Sequence, residues 1–407
     1  MPDRALDDLR VVDISQGIAG PYATKLLADS GALVTKVEPP AGDYTRRLGP
    51  FPGDVPDPEK SGLYLHLNTS KRSVTLDVSV TSGQVVLKKL LANADVFVTG
   101  DKTSTLRDWK LTYDDLRADF PDLIVAQVSP FGGTGPYAGY EGNSLTALAL
   151  SSLMYNTGEP DREPLATGGN PGEYIAGIQL WLGILAAVEN RAVNGGGDHV
   201  DVSMAEAAAA ADEYNSAMYA FQGAVRRRYY SRHIFGYPND IVKASDGYLV
   251  MIPGAGGFPS PMQQPGVVSP MALLMEDPEL DESPFFKQGH ERMINWQEFD
   301  KAIEPYLSSH TVDEIVSLAQ ALRMPFAPVP DAKDLLDDDH LRERKFFQQV
   351  STPAGDVRLP GAPFIMSGTP LTEAPAPRRG EANEQVLADE LGYSKDDLRI
   401  MSDRGVI

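Results

Sequence analysis

The stretch Leu9-Arg10-Val11-Val12-Asp13-Ile14-Ser15-Gln16-Gly17-Ile18-Ala19-Gly20-Pro21-Tyr22-Ala23-Thr24-Lys25-Leu26-Leu27-Ala28-Asp29-Ser30-Gly31-Ala32-Leu33-Val34-Thr35-Lys36-Val37-Glu38 decides the fold of this chain. Leu9 to Ile14 is a short β-branched run that reads as a buried strand. Pro21 to Asp29 follows as a helix with proline at its start, where the missing N–H is not needed. Ala32 to Val37 is a second buried strand. Strand, helix and strand in that order make a βαβ unit with two parallel strands.

The same alternation continues outward. Ser73 to Val78, Gln84 to Ala92 and Asp95 to Val98 repeat it, and the helix Tyr113 to Asp119 leads into a strand at Leu123 to Val128. Repetition of this kind predicts an α/β fold with a doubly wound, Rossmann-like parallel sheet. Helical patterns follow at Ser144 to Tyr155, Glu173 to Arg191 and Ala205 to Gln222, with a strand at His199 to Ser203. Near Ala224 the character changes to the basic, aromatic run Arg226-Arg227-Arg228-Tyr229-Tyr230-Ser231-Arg232, and Gly254 to Gln264 is rich in glycine and proline. The expected division is therefore a large domain over 1–222, a smaller α+β domain over 223–330, and a segment 331–407 that regains apolar helices and strands.

Composition bounds the chemistry. The chain has 407 residues, 42% apolar and 23% charged, which is ordinary globular usage. It contains no cysteine, which excludes a thiol nucleophile, a disulfide framework and thiolate-bound metal. A net charge of −21 disfavours nucleic acid and anionic membrane as partners. The N-terminus carries no secretory pattern, and the most apolar window, Ile175 to Val188, is short for a membrane span and reads as a buried helix. A cytoplasmic protein is the expectation. The histidines at 66, 199, 233, 290, 310 and 340 lack metal-ligand spacing, so no metal site is expected.

Few residues carry a chemical signal. The turn Gln16 to Pro21 sits where a Rossmann fold holds pyrophosphate, with Glu38 placed for a ribose, but it is not GxGxxG, Pro21 interrupts the glycine pattern, and tight strand-to-helix packing is the favoured reading. The run Gly254-Ala255-Gly256-Gly257 is a lid or a plain loop. Lys36, Arg46, Arg47, Lys71, Arg72 and Arg107 cluster near the ends of the early strands and together hint at an anionic ligand. Glu173 follows the turn Gly168-Gly169-Asn170-Pro171-Gly172 and opens the most apolar helix, as a first-turn stabiliser or as a functional carboxylate.

Short blocks along nearly the whole chain resemble the class III coenzyme A transferases, the family of formyl-CoA and carnitine CoA-transferases that also contains alpha-methylacyl-CoA racemase. They include Val12-Asp13-Ile14 with Ala19-Gly20-Pro21, Lys36-Val37-Glu38-Pro39-Pro40 with Gly42-Asp43, Asn68-Thr69-Ser70-Lys71-Arg72-Ser73, Pro121-Asp122-Leu123-Ile124, Gly158-Glu159-Pro160 and His199-Val200-Asp201-Val202-Ser203. The resemblance implies a large CoA-binding domain built from both chain ends, so that 331–407 returns to it, and an interlocked dimer, a homodimer or a heteromer with a related subunit. It implies no permanently bound cofactor; coenzyme A and acyl-CoA are substrates, with a carboxylic acid as acceptor. It also implies covalent catalysis by a carboxylate.

At the nucleophile's position the family has aspartate and this chain has Glu173, one methylene longer. Ile18 stands where the family often has glutamine, and Thr99-Gly100 where it often has Glu-Asn. The resemblance assigns CoA binding to Gln16, Gly17, Ile18, Ala19, Lys71, Arg72, Arg107 and Phe131. The leading expectation is an acyl-CoA:carboxylate CoA-transferase working through a glutamyl-CoA thioester at Glu173. The alternatives are a non-catalytic subunit of a heteromeric transferase, and an acyl-CoA lyase, dehydratase or racemase. Racemisation fits least, because Tyr140-Glu141-Gly142-Asn143 holds no histidine where that branch needs one.

Overall fold

The structure, a computed structural model, describes residues 4–228, 237–253, 268–283 and 289–407. Tyr229 to Arg232, His233 and the glycine run at 254–257 lie outside the described residues. The chain divides into two compact units, one of Met1–Tyr155, Ala166–Val225 and Arg342–Ile407, the other of Asn156–Leu165 and Arg226–Leu341.

In the first unit the elements run β1 (Arg10–Asp13), α1 (Ala19–Asp29), β2 (Leu33–Glu38), α2 (Gly62–Leu67), β3 (Arg72–Thr75), α3 (Thr81–Leu91), β4 (Val96–Thr99), α4 (Thr103–Trp109), α5 (Tyr113–Asp119) and β5 (Ile124–Ser129). They continue with α6 (Ser144–Leu150), α7 (Pro171–Asn194), β6 (His199–Ser203), α8 (Met204–Ala210) and α9 (Glu213–Gln222). The six strands form one parallel sheet in the order β3-β2-β1-β4-β5-β6. Val12 of β1 lies opposite Thr35 of β2 and Phe97 of β4. The order reverses between β1 and β4, and ligands of such sheets bind outside the carboxyl ends of the strands at that reversal.

Side chains alternate across the pleat, so each strand feeds two cores. Val12, Val37, Val74, Phe97 and Val125 face one, closed by Leu87, Leu116, Val386 and Leu387. Val11, Val34, Val96, Val98, Ile124 and Ala126 face the other, closed by Ala23 and Leu27 of α1 and by Ala176, Leu180 and Ile184 of α7. With both faces covered, the strands are apolar throughout, which is why they read as continuous runs. Helix α7 has the length and composition of a membrane span, yet its apolar stripe lies in this second core. It approaches α1 closely at Gly177, where a Cβ would stand 2.7 Å from the Ala19 carbonyl oxygen.

The C-terminal stretch closes the first core. The Asp77 N–H donates to the Val406 carbonyl at 2.8 Å, and the Asn383 amide pairs with both the backbone and the hydroxyl of Thr75. The second unit holds a three-stranded antiparallel sheet, β7 (Asp240–Lys243), β8 (Tyr248–Met251) and β9 (Ala327–Pro328), over a core that includes Leu249, Met251, Phe299 and Ile315.

Two element boundaries differ from the sequence reading for local reasons. The Ser144 helix stops at Leu150 rather than Tyr155, where Ser152 turns into the left-handed region at φ 75°. The single helix Ala205 to Gln222 is two helices. Asp212 leaves helical geometry at φ −111°, ψ 29°, and its carboxylate accepts a bond from Asn215, the kind of local competition that draws aspartate to helix caps.

Candidate active site

Helix α7 starts with Pro171 in its first turn and carries Glu173 there as its acidic residue. The helix N-terminus presents unpaired N–H groups and a partial positive charge, which favour a carboxylate. Here the carboxylate also faces a cavity of about 480 Å³, walled by Ile18, Tyr44, Leu48, Leu63, Ser144 and Leu148, among others. Burial raises the Glu173 pKa above the ordinary glutamate value, and the neighbouring Ser144 hydroxyl opposes that rise. Ser144 is placed by the start of α6, where Asn143 and Thr146 form a reciprocal cap. The result is a partly desolvated carboxylate with one hydroxyl close by, beside open space.

The loop between β1 and α1 contributes Ile18 to the same cavity. Asp13, at the end of β1, is fully buried and accepts from the Ser15 N–H at 2.9 Å and the Thr24 hydroxyl at 2.6 Å. Burial would raise its pKa, but Lys36, Lys71 and the two hydroxyls outweigh burial and lower it. This anchoring fixes Gln16, Gly17 and Ile18. Gly17 has φ +85°, and a Cβ there would lie 2.3 Å from the Tyr44 hydroxyl oxygen, so this position takes glycine for both conformation and space. Ile18 reaches the Glu173 cavity, and Ala19, buried, opens α1. Gln16 is exposed; its Oε1 accepts from the Tyr44 N–H at 3.3 Å, and it lines a second, smaller cavity with Pro39, Asp77, Asp101 and Trp109.

The cations separate sharply. Lys71 is an internal residue: its side chain has no exposure, and Nζ donates to the Pro21 carbonyl at 2.8 Å and to Asn68 Oδ1 at 2.9 Å, with Asp13 Oδ2 at 3.5 Å. Burial pushes its pKa down to about 7, against the pull of Asp13. Arg46 is also buried. It is held by both oxygens of Glu38 at 2.7 and 2.8 Å, by Glu59 at 3.1 Å and by the face of Tyr64. These two corrections have one cause: a cation with a complete internal set of acceptors has no donor left for a ligand.

Glu38 accepts further bonds from the Tyr64 hydroxyl, the Ser73 hydroxyl and the Asp43 N–H. That set leaves it unavailable to a ribose. Arg72 is the first residue of β3, so it stands near Arg10 and Leu33, on the amino-end edge of the sheet, away from the ligand crevice, with Glu390 as its partner. Arg107 is exposed two residues before Trp109, and Phe131 is half-buried edge-on to Tyr137. The sequence reading missed Tyr44 and Ser144. The signals were short: Asp43 caps the turn that carries Tyr44, and Asn143-Ser144-Leu145-Thr146 is a capping pattern.

Residues 6–383 match the family model described as CoA-transferase family III. The chain belongs to CoA-transferase family III. This family III enzyme is 32% identical to the succinyl-CoA:mesaconate CoA-transferase of Haloarcula hispanica, across 98% of this chain and 99% of the relative. It is 30% identical to the succinyl-CoA–D-citramalate CoA-transferase of Chloroflexus aurantiacus, across 100% of this chain and 99% of the relative. Its fold superposes on a CAIB/BAIF family protein from Brucella suis with a TM-score of 0.84 at 26% identity, covering 95% of this chain and 99% of the other. Such enzymes transfer CoA between carboxylic acids.

Proposed function

We propose that this family III CoA-transferase passes CoA from an acyl-CoA to an acceptor acid through covalent attachment at Glu173. The observation that carries the reading is the Glu173 carboxylate at the start of α7, half-buried in a cavity with its pKa raised by burial. A desolvated carboxylate is the better nucleophile, and it is also a leaving group that can be reused.

The steps balance without an added proton or oxidant. Glu173 attacks the thioester carbonyl, the carbon–sulfur bond breaks, and CoA thiolate leaves a mixed anhydride. The thiolate then attacks Cδ of Glu173, releasing the donor acid as carboxylate and leaving a glutamyl-CoA thioester. An acceptor carboxylate repeats the two exchanges in reverse order, and Glu173 is regenerated. For CoA itself we assign the exposed Gln16, the backbone of Gly17 to Ala19, Ile18, Arg107 and Phe131, on the carboxyl-end side of the sheet. The donor class follows the relatives, whose names specify succinyl-CoA.

The test is incubation with succinyl-CoA and a panel of other acyl-CoA esters, hydroxylamine trapping and peptide mass spectrometry. A hydroxamate on Glu173, with loss of transfer in Glu173→Gln, is expected. Modification elsewhere, or transfer that persists in Glu173→Gln, overturns the assignment. Product formed without an acceptor acid makes the enzyme a lyase instead.

A further inference from the structure

Among the described residues Tyr44 is the one phenol lining the Glu173 cavity, and the turn that carries it is anchored by hydrogen bonds. It opens the turn Tyr44–Arg47, which Asp43 caps by accepting from the Thr45 N–H at 2.9 Å and the Thr45 hydroxyl at 2.8 Å. Arg46, two residues on, is clamped to Glu38, and Ser61 donates to the Thr45 carbonyl at 2.8 Å. The phenol oxygen lies over Gly17, where only glycine leaves it room. Among the described residues this hydroxyl has no hydrogen-bond partner, whereas Tyr64 and Tyr237 each donate to a carboxylate. An anchored turn therefore brings a partly exposed ring with an uncommitted O–H to the cavity lined by Glu173.

We propose that the Tyr44 hydroxyl is a catalytic hydrogen-bond donor to the oxygen that gains negative charge on Cδ of Glu173 during CoA exchange. The assignment rests on the reading of Glu173 as nucleophile. When CoA thiolate attacks Cδ of the anhydride, a carbon–sulfur bond forms and the carbonyl electron pair moves onto oxygen. That oxyanion collapses as the bond to the donor acyl group breaks and the donor acid departs. When the acceptor carboxylate attacks the glutamyl thioester, the same oxygen is charged again and CoA thiolate departs.

No proton is gained or lost in either exchange, so the useful group is a donor that keeps its proton. Burial, followed by the nearby Glu173 charge, pushes the Tyr44 pKa up to about 12, so the phenol stays neutral across the working range. Ser144 already stands beside the resting carboxylate and favours its charged form. The two hydroxyls thus divide the work, Ser144 favouring the charged resting carboxylate and Tyr44 meeting the charge that appears only in the transition state.

The test compares wild type with Tyr44→Phe, which removes the hydroxyl and keeps the ring, and with Gly17→Ala, which keeps the hydroxyl and displaces it. The readouts are kcat, KM for succinyl-CoA, thermal melting and hydroxylamine trapping at Glu173. Loss of one such donor lowers kcat by about 10²-fold in other enzymes. A loss of that size is expected in Tyr44→Phe, with KM within about threefold and melting unchanged, since a group that acts only in the transition state lowers kcat without raising KM. Gly17→Ala is expected to lose kcat in the same direction. Wild-type trapping at Glu173 together with full kcat in Tyr44→Phe overturns the role of Tyr44 and leaves the nucleophile standing. A defect in KM alone makes Tyr44 a binding residue and also overturns it. Absence of wild-type trapping at Glu173 removes the covalent reading, and the Tyr44 assignment falls with it.

Discussion

Replacing Glu38 by glutamine tests whether the buried charges beneath the site hold it in place. Glu38 accepts from Arg46 through two bonds, and from Tyr64, Ser73 and the Asp43 N–H. Burial raises its pKa, but the Arg46 bonds and charge, with the remaining donors, bring it down from 4.5 to about 2. At ~1.36 kcal/mol per pH unit that difference corresponds to about 3 kcal/mol. The sign is that of a depressed carboxyl: the contribution is complete above 4.5 and is lost as pH falls from there toward 2.

Glutamine keeps the shape but turns an amide donor toward Arg46 and leaves that guanidinium buried without its counter-charge, a change that costs about 3 to 5 kcal/mol. The assay is urea unfolding in a Trp296→Phe background, so that Trp109 and Trp181 report the first unit. Wild type and Glu38→Gln are expected to differ by at least ~3 kcal/mol at pH 7, with the gap narrowing below pH 4.5. A gap under about 1 kcal/mol at pH 7, the range of exposed ion pairs, or one that does not change with pH, refutes the reasoning.

Three further outcomes follow from the same geometry. Because Glu173 must be ionised to attack and its pKa is raised, transfer activity should fall on acidification at a pH above the ordinary glutamate range; a kcat/KM profile with its acid limb in that range contradicts this. Glu173→Asp withdraws the carboxylate by one methylene and should lower kcat by about 10²-fold, measured by steady-state transfer. Gly177→Ala places a Cβ 2.7 Å from the Ala19 carbonyl oxygen and 3.2 Å from Tyr22, prying α7 from α1, and should destabilise the first unit by ~1–3 kcal/mol in the same unfolding assay.

The sequence by itself determined the order of strands and helices, the parallel sheet and the carboxylate at the start of the apolar helix. Those features are local: continuous apolar runs, proline and glycine punctuation and cap residues act within a few positions of each other. Among the short helices, α5 is marked by a Thr112–Asp115 capping box, whereas α4 has no side-chain cap and α2 only the single bond from Tyr64 N–H to Ser61, and both escaped. The fate of the charges needed the tertiary structure. Arg46 and Lys71 read as ligand donors until Glu38, Asp13 and the Pro21 carbonyl are seen to surround them, and Arg72 until Glu390 arrives from the far end of the chain. The meeting of Tyr44, Ser144 and Glu173 at one cavity was likewise decided only by folding. A side chain's own sequence neighbourhood says what it can donate or accept, whereas the partners that use up or leave open that capacity are set by contacts remote along the chain.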